Sequence, residues 1–157
     1  MKVTIFLIGK TDEAFLTEGI NLYLNRLKHY IKADWVVLQN VKHSASMSKE
    51  KLIIKEAELL LSKIKANDFV ILLDEKGKEL TSSGLAEYIL GKMDSGIKSL
   101  VLIVGGAFGV AGTVRTRADF VLALSKMTFS HQMVRLILAE QLYRAMTIIK
   151  GEKYHHE

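Results

Sequence analysis

A glycine-rich segment directly after an apolar run is the first feature of this sequence that could do chemistry. The run Leu100–Val104 is followed by Gly105, Gly106 and Gly109. Glycines at the exit of a buried strand permit positive φ angles and let a ligand approach the backbone closely. The segment therefore predicts a ligand-binding loop, and the alternative is a tight strand-to-helix turn that holds no ligand.

The glycine segment does not match the common phosphate-binding motifs. Its spacing is Gly-Gly-x-x-Gly, it follows the fourth apolar run and not the first, and no acidic residue stands where a ribose would need one. No Gly-Lys-Ser/Thr sequence follows it. A ligand that carries an adenosine but no phosphates therefore suits this loop better than a nucleotide.

The long segment near the C-terminus, from about residue 131 to 149, is apolar almost all round when it is placed on a helix. His131 and Arg135 lie on one side, and Glu140 and Arg144 lie on roughly the opposite side. Such a helix needs cover on every face. One face can lie on a sheet, and the same helix of a second copy is the economical cover for the other. The pair Glu140 and Arg144 can form an ion pair at this spacing, and for both arginines structural pairing and nucleic-acid contact stay open.

The last residues are polar and aromatic. Tyr154, His155 and His156 follow a glycine that is expected to end the helix. Taken alone, they read as a frayed terminus. Two adjacent histidines lack the helical spacing of a metal-binding pair, so the sequence predicts no metal site.

Composition indicates one ordinary globular domain. The chain has 157 residues, of which 49% are hydrophobic, and a net charge of +5, while mean hydropathy is +0.18. These values exclude a disordered, charge-dominated chain. The absence of cysteine excludes disulfides and thiolate chemistry and is compatible with the cytoplasm. The longest apolar run is too short to span a bilayer, and we expect neither a membrane span nor a signal peptide.

Two hydrophobic periods alternate along the chain. Short apolar runs predict strands at Val3–Ile8, Trp35–Leu38, Phe69–Leu73, Leu100–Val104 and Phe120–Leu124. Helical spacing predicts helices between them, with a start signal at Thr81-Ser82-Ser83, a brief helix over Thr113–Ala118 and a long one from about His131 to Ile149. We therefore predict a single α/β domain over residues 1–157, with a mainly parallel sheet and helices on both faces. Its ligand should bind beyond the C-terminal ends of the strands.

Several blocks in order resemble one known family, the RlmH group of SPOUT-class methyltransferases. The blocks are Val104–Gly109, Leu124–Phe129, His131–Arg135, Glu140–Ala145 and Tyr154-His155. Together they extend the resemblance over essentially the whole chain. It implies a cytoplasmic homodimer with a C-terminal trefoil knot. It also implies that the enzyme uses S-adenosylmethionine to methylate N3 of a pseudouridine in 23S ribosomal RNA, in the context of the ribosome.

The resemblance also assigns site residues. It implies that the catalytic residues are Tyr154 and His155. The cofactor contacts that it implies are Leu73, Gly105, Leu124, Ser125, Lys126, Met127, Thr128 and Phe129. All of these cofactor positions fall at the predicted C-terminal ends of strands.

Three positions depart from the pattern of the family. Ser130 stands where many relatives have proline, and Ala107 stands where they have proline or serine. His156 takes the place of a basic residue that often follows the tyrosine-histidine pair. The first two changes bear on loop geometry. The third could weaken a phosphate contact, because an unperturbed histidine is mostly uncharged near neutral pH.

The implied reaction needs a donor and an acceptor held in line. A sulfonium carries an activated methyl group, so neither a metal nor a covalent intermediate is required. The N3 proton of the base must leave, and His155 and Tyr154 are the candidates to assist. His131 is expected to be structural, since the dipole at a helix start disfavours its charged form.

Two other classes of function remain as alternatives. One is a non-enzymatic RNA-binding or ribosome-associated module that relies on the basic charge excess. The other is a nucleotide-binding enzyme of a different class on the same scaffold, against which the missing phosphate-loop lysine argues.

Overall fold

The computed structural model describes residues 1–39 and 47–154, which form strands and helices in alternation. The strands are β1 (Lys2–Ile8), β2 (Lys32–Leu38), β3 (Phe69–Glu79), β4 (Ser99–Val104) and β5 (Phe120–Ala123). The helices are α1 (Ala14–Leu27), α2 (Lys49–Leu61), α3 (Ser82–Asp94), α4 (Gly112–Arg117) and α5 (Met133–Ile149). The predicted alternation is confirmed, with boundaries that shift by a few residues.

All five strands lie in one parallel sheet with the order β2-β1-β4-β3-β5. The carboxyl ends of β3, β4 and β5 therefore meet at the same edge, where the register aligns Leu73 with Val104 and with Leu122. A parallel sheet of this kind needs cover on both faces. The predicted α/β architecture is confirmed.

The hydrophobic core has two layers, one on each face of the sheet. On one face, strand residues such as Ile5 and Leu102 pack against α1, α3 and α5. On the other face, Phe6 and Ile103 pack against α2 and α4. Alternating residues of β1 and β4 enter opposite layers, which is why these strands are apolar throughout.

Strand β3 is longer than the sequence predicted. It was expected to end at Leu73, but it pairs with β5 again at Lys78 and Glu79 after an irregularity in the register. A Cβ atom on Gly77 would lie 2.6 Å from the backbone carbon of Leu122, so only glycine permits this close approach of two strands. The residues between Leu73 and Lys78 are thereby displaced from the ladder at the sheet edge.

Local signals explain where the helices begin and end. The Thr81 hydroxyl accepts a hydrogen bond from the N–H of Gly84 and caps α3, as the start signal predicted. The long helix α5 begins at Met133 and not at His131, and the Ser130 hydroxyl accepts from the Met133 N–H. Gly151 has a φ of 68° and ends α5, which confirms the predicted glycine stop.

Candidate functional site

A cleft of about 630 Å³ lies at the carboxyl ends of β3, β4 and β5. The sheet edge contributes Leu73 and Val104, and the loop after β4 contributes residues 105–110. The segment after β5 and the start of α5 close the other side. The volume falls within the range of about 300–1,000 Å³ that is usual for small-molecule sites. The cleft is where parallel sheets bind their ligands.

The glycine loop forms one wall of the cleft through its backbone. Gly109 has a φ of 82°, in the left-handed region that favours glycine. Its N–H donates a hydrogen bond to the Gly106 carbonyl at 3.1 Å. A Cβ on Gly105 would lie 2.8 Å from Cγ1 of Val110. Only glycines can make this compact turn, which leaves the backbone on the cleft side unobstructed.

The segment after β5 forms the opposite wall. Most of the predicted cofactor contacts come together here or nearby: Leu73, Gly105, Leu124, Ser125, Met127, Thr128 and Phe129 all line the cleft. The Ser125 hydroxyl accepts from the Met127 N–H at 2.9 Å, and Thr128 donates to Glu75 at 3.2 Å. These bonds fix the turn of the segment.

Lys126 differs from its neighbours in this segment. Its side chain is 88% exposed, and its Nζ lies 3.8 Å from a carboxylate oxygen of Glu79. It is not among the described residues that line the cleft. Lys126 is therefore the one predicted cofactor contact that is not among the described residues lining the cleft.

Two charged side chains on the β3 side of the cleft, Asp74 and Arg115, form an ion pair. Asp74 accepts a hydrogen bond from the Lys76 N–H at 2.8 Å and forms an ion pair with Arg115 at 2.6 Å. Burial alone would raise the pKa of Asp74, but these donors hold it below its usual value. Asp74 is therefore ionised at neutral pH, and the charge of Arg115 is engaged by it. Sequence reasoning missed this pair because its members are 41 positions apart.

His131 lines the cleft at the start of α5. Burial and, secondarily, the nearby Arg135 lower its pKa, while Asp12 opposes the shift. The imidazole is therefore neutral at neutral pH. The sequence analysis expected an uncharged His131, but for a different reason and in a purely structural role. Its position in the cleft wall adds it to the candidate site residues.

Arg135 holds the start of α5 against the end of β1. Its side chain is wholly buried, and it donates hydrogen bonds to the carbonyls of Ile8 and Gly9 at 2.6 and 2.9 Å. A third bond reaches the Thr11 hydroxyl at 3.0 Å. Of the two interpretations left open for this arginine, the structural one holds, although its partners are mainly carbonyls and not a carboxylate.

The C-terminal segment is attached to the outer face of α5. The ring of Tyr154 packs edge-on against Tyr143 with centroids 4.7 Å apart, and the Arg144 guanidinium lies over it at 4.7 Å. Its hydroxyl donates to Glu140 at 3.2 Å, and Glu140 also forms the expected ion pair with Arg144. Tyr154 therefore packs against α5, whereas His155 lies outside the described residues.

The electrostatic setting of Tyr154 keeps its phenol protonated. Burial, together with Tyr23 and the carboxylate of Glu140, raises its pKa above the ordinary value of 10. A phenol of this kind donates a hydrogen bond and offers an aromatic face. It is poorly suited to act as a base near neutral pH.

Tyr154 does not share the cleft of its own chain. Among the described residues that line the cleft, Val134 is the one furthest along α5. Glu140, the partner of Tyr154, follows six residues later, which is about 9 Å along the axis and on a different face. Within one chain the two groups of predicted site residues are thus separated.

Two kinds of feature are absent from residues 1–39 and 47–154. No group of three or more His, Cys, Asp or Glu side chains there could hold a metal ion. In the same ranges, no helix is long and apolar enough to cross a membrane.

The fold and the cleft agree with one family of enzymes. The sequence model of the family described as "Predicted SPOUT methyltransferase" matches residues 1–155. The chain therefore belongs to the SPOUT methyltransferase family.

Curated relatives make the similarity more specific. The chain is 46% identical over 156 residues to "Ribosomal RNA large subunit methyltransferase H" of Christiangramia forsetii, which covers 99% of each chain. It is 47% identical over 157 residues to the protein of the same name from Parabacteroides distasonis, over 100% of both chains. The fold is also similar to a tRNA (m1G37) methyltransferase of Aquifex aeolicus, with a TM-score of 0.57 and 13% identity over 100% of this chain and 76% of that one.

The lining of the cleft suits S-adenosylmethionine, the methyl donor of this family. Apolar side chains such as Leu73, Leu122 and Leu124 line the cleft, as an adenine ring requires. The carboxylate of Glu75 suits a cationic sulfonium, and the ion pair with Asp74 engages the charge of Arg115. The residues present therefore fit the cofactor.

Proposed function

We propose that this chain is an S-adenosylmethionine-dependent methyltransferase that modifies large-subunit ribosomal RNA at N3 of a pseudouridine. The observation that carries the proposal is the cleft itself. The glycine loop and segment 124–129 meet there at the carboxyl ends of three strands, in a chain 47% identical over its full length to a ribosomal RNA large subunit methyltransferase H. An enzyme with this substrate works in the cytoplasm.

The proposed cofactor supplies a methyl group on a sulfonium, which is already activated for transfer. The protein holds the donor in the cleft, with Leu73, the backbone of Gly105 and residues 124–129 as its contacts. Alignment of a donor and an acceptor lowers a barrier by up to about 7–11 kcal/mol in favourable cases. Positioning is therefore the main work of the residues that line the cleft.

The target nitrogen carries a proton that must leave. We propose that Tyr154 and His155 form the surface that receives the base. Because the pKa of Tyr154 is raised, its role is to donate a hydrogen bond or to stack on an unpaired base. His155 is then the candidate to accept the proton.

A homodimer is part of this proposal, since Tyr154 stands apart from the cleft of its own chain. The outer face of α5 carries Met133, which is 39% exposed, and the half-buried Ile137 beside Glu140 and Arg144. Pairing of two copies through this face would cover apolar surface and carry the tail of one copy toward the cleft of the other. The trefoil knot remains a prediction from the family.

The direct test is transfer of a labelled methyl group from S-adenosylmethionine to ribosomes that lack the modification, with protein-free ribosomal RNA as the comparison substrate. We expect transfer to ribosomes that saturates at one methyl per particle, on N3 of a pseudouridine. No transfer to either substrate, together with no thermal shift by S-adenosylhomocysteine, would favour the non-enzymatic RNA-binding alternative.

A truncation separates the role of the tail from that of the cleft. Removal of residues 153–157 should leave folding and S-adenosylhomocysteine binding nearly intact, because the cleft residues lie elsewhere. Methyl transfer to ribosomes should fall by orders of magnitude. A truncated chain that works at the full-length rate would show that Tyr154 and His155 are not catalytic.

A further inference from the structure

Glu56 of helix α2 lies behind the glycine loop, on the side away from the cleft. Its side chain is only 8% exposed. A Cβ atom on Gly106 would meet the two carboxylate oxygens of Glu56 at 3.0 and 3.4 Å. Gly106, Gly109 and Val110 line the cleft and also line a small void next to Glu56. This part of the loop thus has the cleft on one side and the Glu56 carboxyl on the other.

Among residues 1–39 and 47–154, the Glu56 carboxyl has no partner that explains its place in the fold. It forms no hydrogen bond or ion pair with any other described residue, and burial raises its pKa. The described residues around the void are otherwise uncharged, among them Ile8, Leu60 and Val114. An unpaired, buried carboxyl destabilises a fold, whereas an apolar residue in such surroundings would stabilise it. The packing of the described residues alone therefore gives no reason for a glutamate here.

We propose that Glu56 is a positioning residue that holds the glycine loop, through Gly106, in the conformation that receives S-adenosylmethionine. This inference rests on the proposed function, because it takes the loop to be the cofactor loop. A ligand in the cleft contacts the loop from the front, and the carboxyl limits its movement from behind. When the cofactor is bound, we expect a carboxyl oxygen of Glu56 to accept a hydrogen bond from a backbone N–H of the loop, which an apolar side chain could not do.

The geometry also explains why position 106 is glycine. Any side chain there would be forced against the oxygens of Glu56. Gly106 has no positive φ, so its conformation does not require glycine. The requirement comes from the neighbouring carboxyl, and the two positions form a matched pair.

The test compares three variants of the full-length chain by calorimetric titration with S-adenosylhomocysteine. Glu56→Ala should weaken binding about tenfold, which is the size of one lost hydrogen bond of about 1.4 kcal/mol. Glu56→Gln keeps the shape and one acceptor oxygen and should bind within about threefold of the wild type. Glu58→Ala removes an exposed carboxylate of the same helix and should bind like the wild type.

Thermal unfolding of the free proteins separates a positioning role from a structural one. Glu56→Ala should melt at the same temperature as the wild type or higher, because an unpaired buried carboxyl has been removed. A residue that only supported the packing of α2 would show the reverse, with a lower melting temperature and unchanged affinity.

A second pair of variants tests the contact directly and stays informative if Glu56→Ala folds poorly. Gly106→Ala should weaken S-adenosylhomocysteine binding in the wild-type background. In the Glu56→Ala background the same change should weaken binding little further, because the Glu56 oxygens that the new Cβ would meet are no longer there.

Two results would overturn the inference. Equal affinity of Glu56→Ala and wild type, or additive effects of the Glu56 and Gly106 changes, would leave the proposed function standing without this role for Glu56. A wild-type chain that binds no S-adenosylhomocysteine would instead overturn the proposed function, and this inference with it.

Discussion

Replacement of Arg135 by methionine should reveal how strongly the start of α5 depends on one buried cation. The change removes the donors to the carbonyls of Ile8 and Gly9 and to the hydroxyl of Thr11. Methionine is flexible and apolar, so it fills most of the vacated space without creating a new polar group.

The magnitude follows from the groups that lose their partners. A buried carbonyl left without a donor costs about 1–3 kcal/mol, so the two carbonyls together cost about 2–6 kcal/mol. Part of this loss is offset, because the buried guanidinium no longer has to be desolvated and its Nε has no hydrogen-bond partner among the described residues. A gain of about 1–3 kcal/mol from this source leaves a net loss of about 2 kcal/mol at the midpoints of the two ranges.

Urea unfolding at a fixed protomer concentration measures this loss, since the stability of an oligomer depends on concentration. The matched variant Arg135→Lys keeps the charge and can reach one acceptor at a time, so about half the loss is expected. S-adenosylhomocysteine affinity should fall with stability, because His131 and Val134 of the same turn line the cleft. A loss below about 1 kcal/mol for Arg135→Met would refute the reasoning, as it would mean that water reaches the freed carbonyls.

Four further outcomes follow from features of the site. Gly109→Val should abolish S-adenosylhomocysteine binding in calorimetry, as φ is 82° there, while Gly96→Val at φ 79°, away from the cleft, should carry similar strain and bind normally. The pKa of Glu56 is raised in the folded chain, so the ionised carboxyl destabilises the fold only as pH rises above the ordinary pKa of about 4.5. The gain in unfolding free energy of Glu56→Gln over wild type should therefore be near zero at pH 4 and larger at pH 7. A gain that does not change with pH would contradict this. Tyr154→Phe should lower the methyl-transfer rate about tenfold for one lost hydrogen bond, and the wild-type rate should show no inflection from this phenol below pH 10, because its pKa is raised. Light scattering should report a dimer of the 17.6 kDa chain, which Ile137→Asp should disrupt or render insoluble; a monomer at micromolar concentration would contradict the proposed assembly.

The sequence predicted the layers of the fold because they depend on local period. Runs such as Leu100–Val104 are apolar at every position, and only a strand covered on both faces requires that. The extension of β3 beyond Leu73 was not predicted. Residues 74–79 are mostly charged and carry no apolar signal, and their second pairing depends on the absence of a side chain at Gly77.

The cleft was predicted in part. The position of Gly105 at a strand exit indicated the loop, whereas the ion pair of Asp74 with Arg115 joins segments that no local pattern connects. Tyr154 shows the same limit. Its neighbours in sequence indicate a frayed end, but its contacts with Tyr143 and Glu140 come from the fold of the chain back onto α5.

Helix α5 links the two halves of the proposed active surface, and this sets a constraint on its length. Val134 meets the cleft near one end, while Glu140 holds Tyr154 on another face. Each residue of a helix adds about 100° of rotation and 1.5 Å of rise. One residue inserted between these positions would turn Tyr154 by more than a quarter of a circle relative to the cleft, although every side-chain contact at either end could persist. A single residue inserted or deleted between Val134 and Glu140 should therefore abolish methyl transfer even where the helix itself still forms.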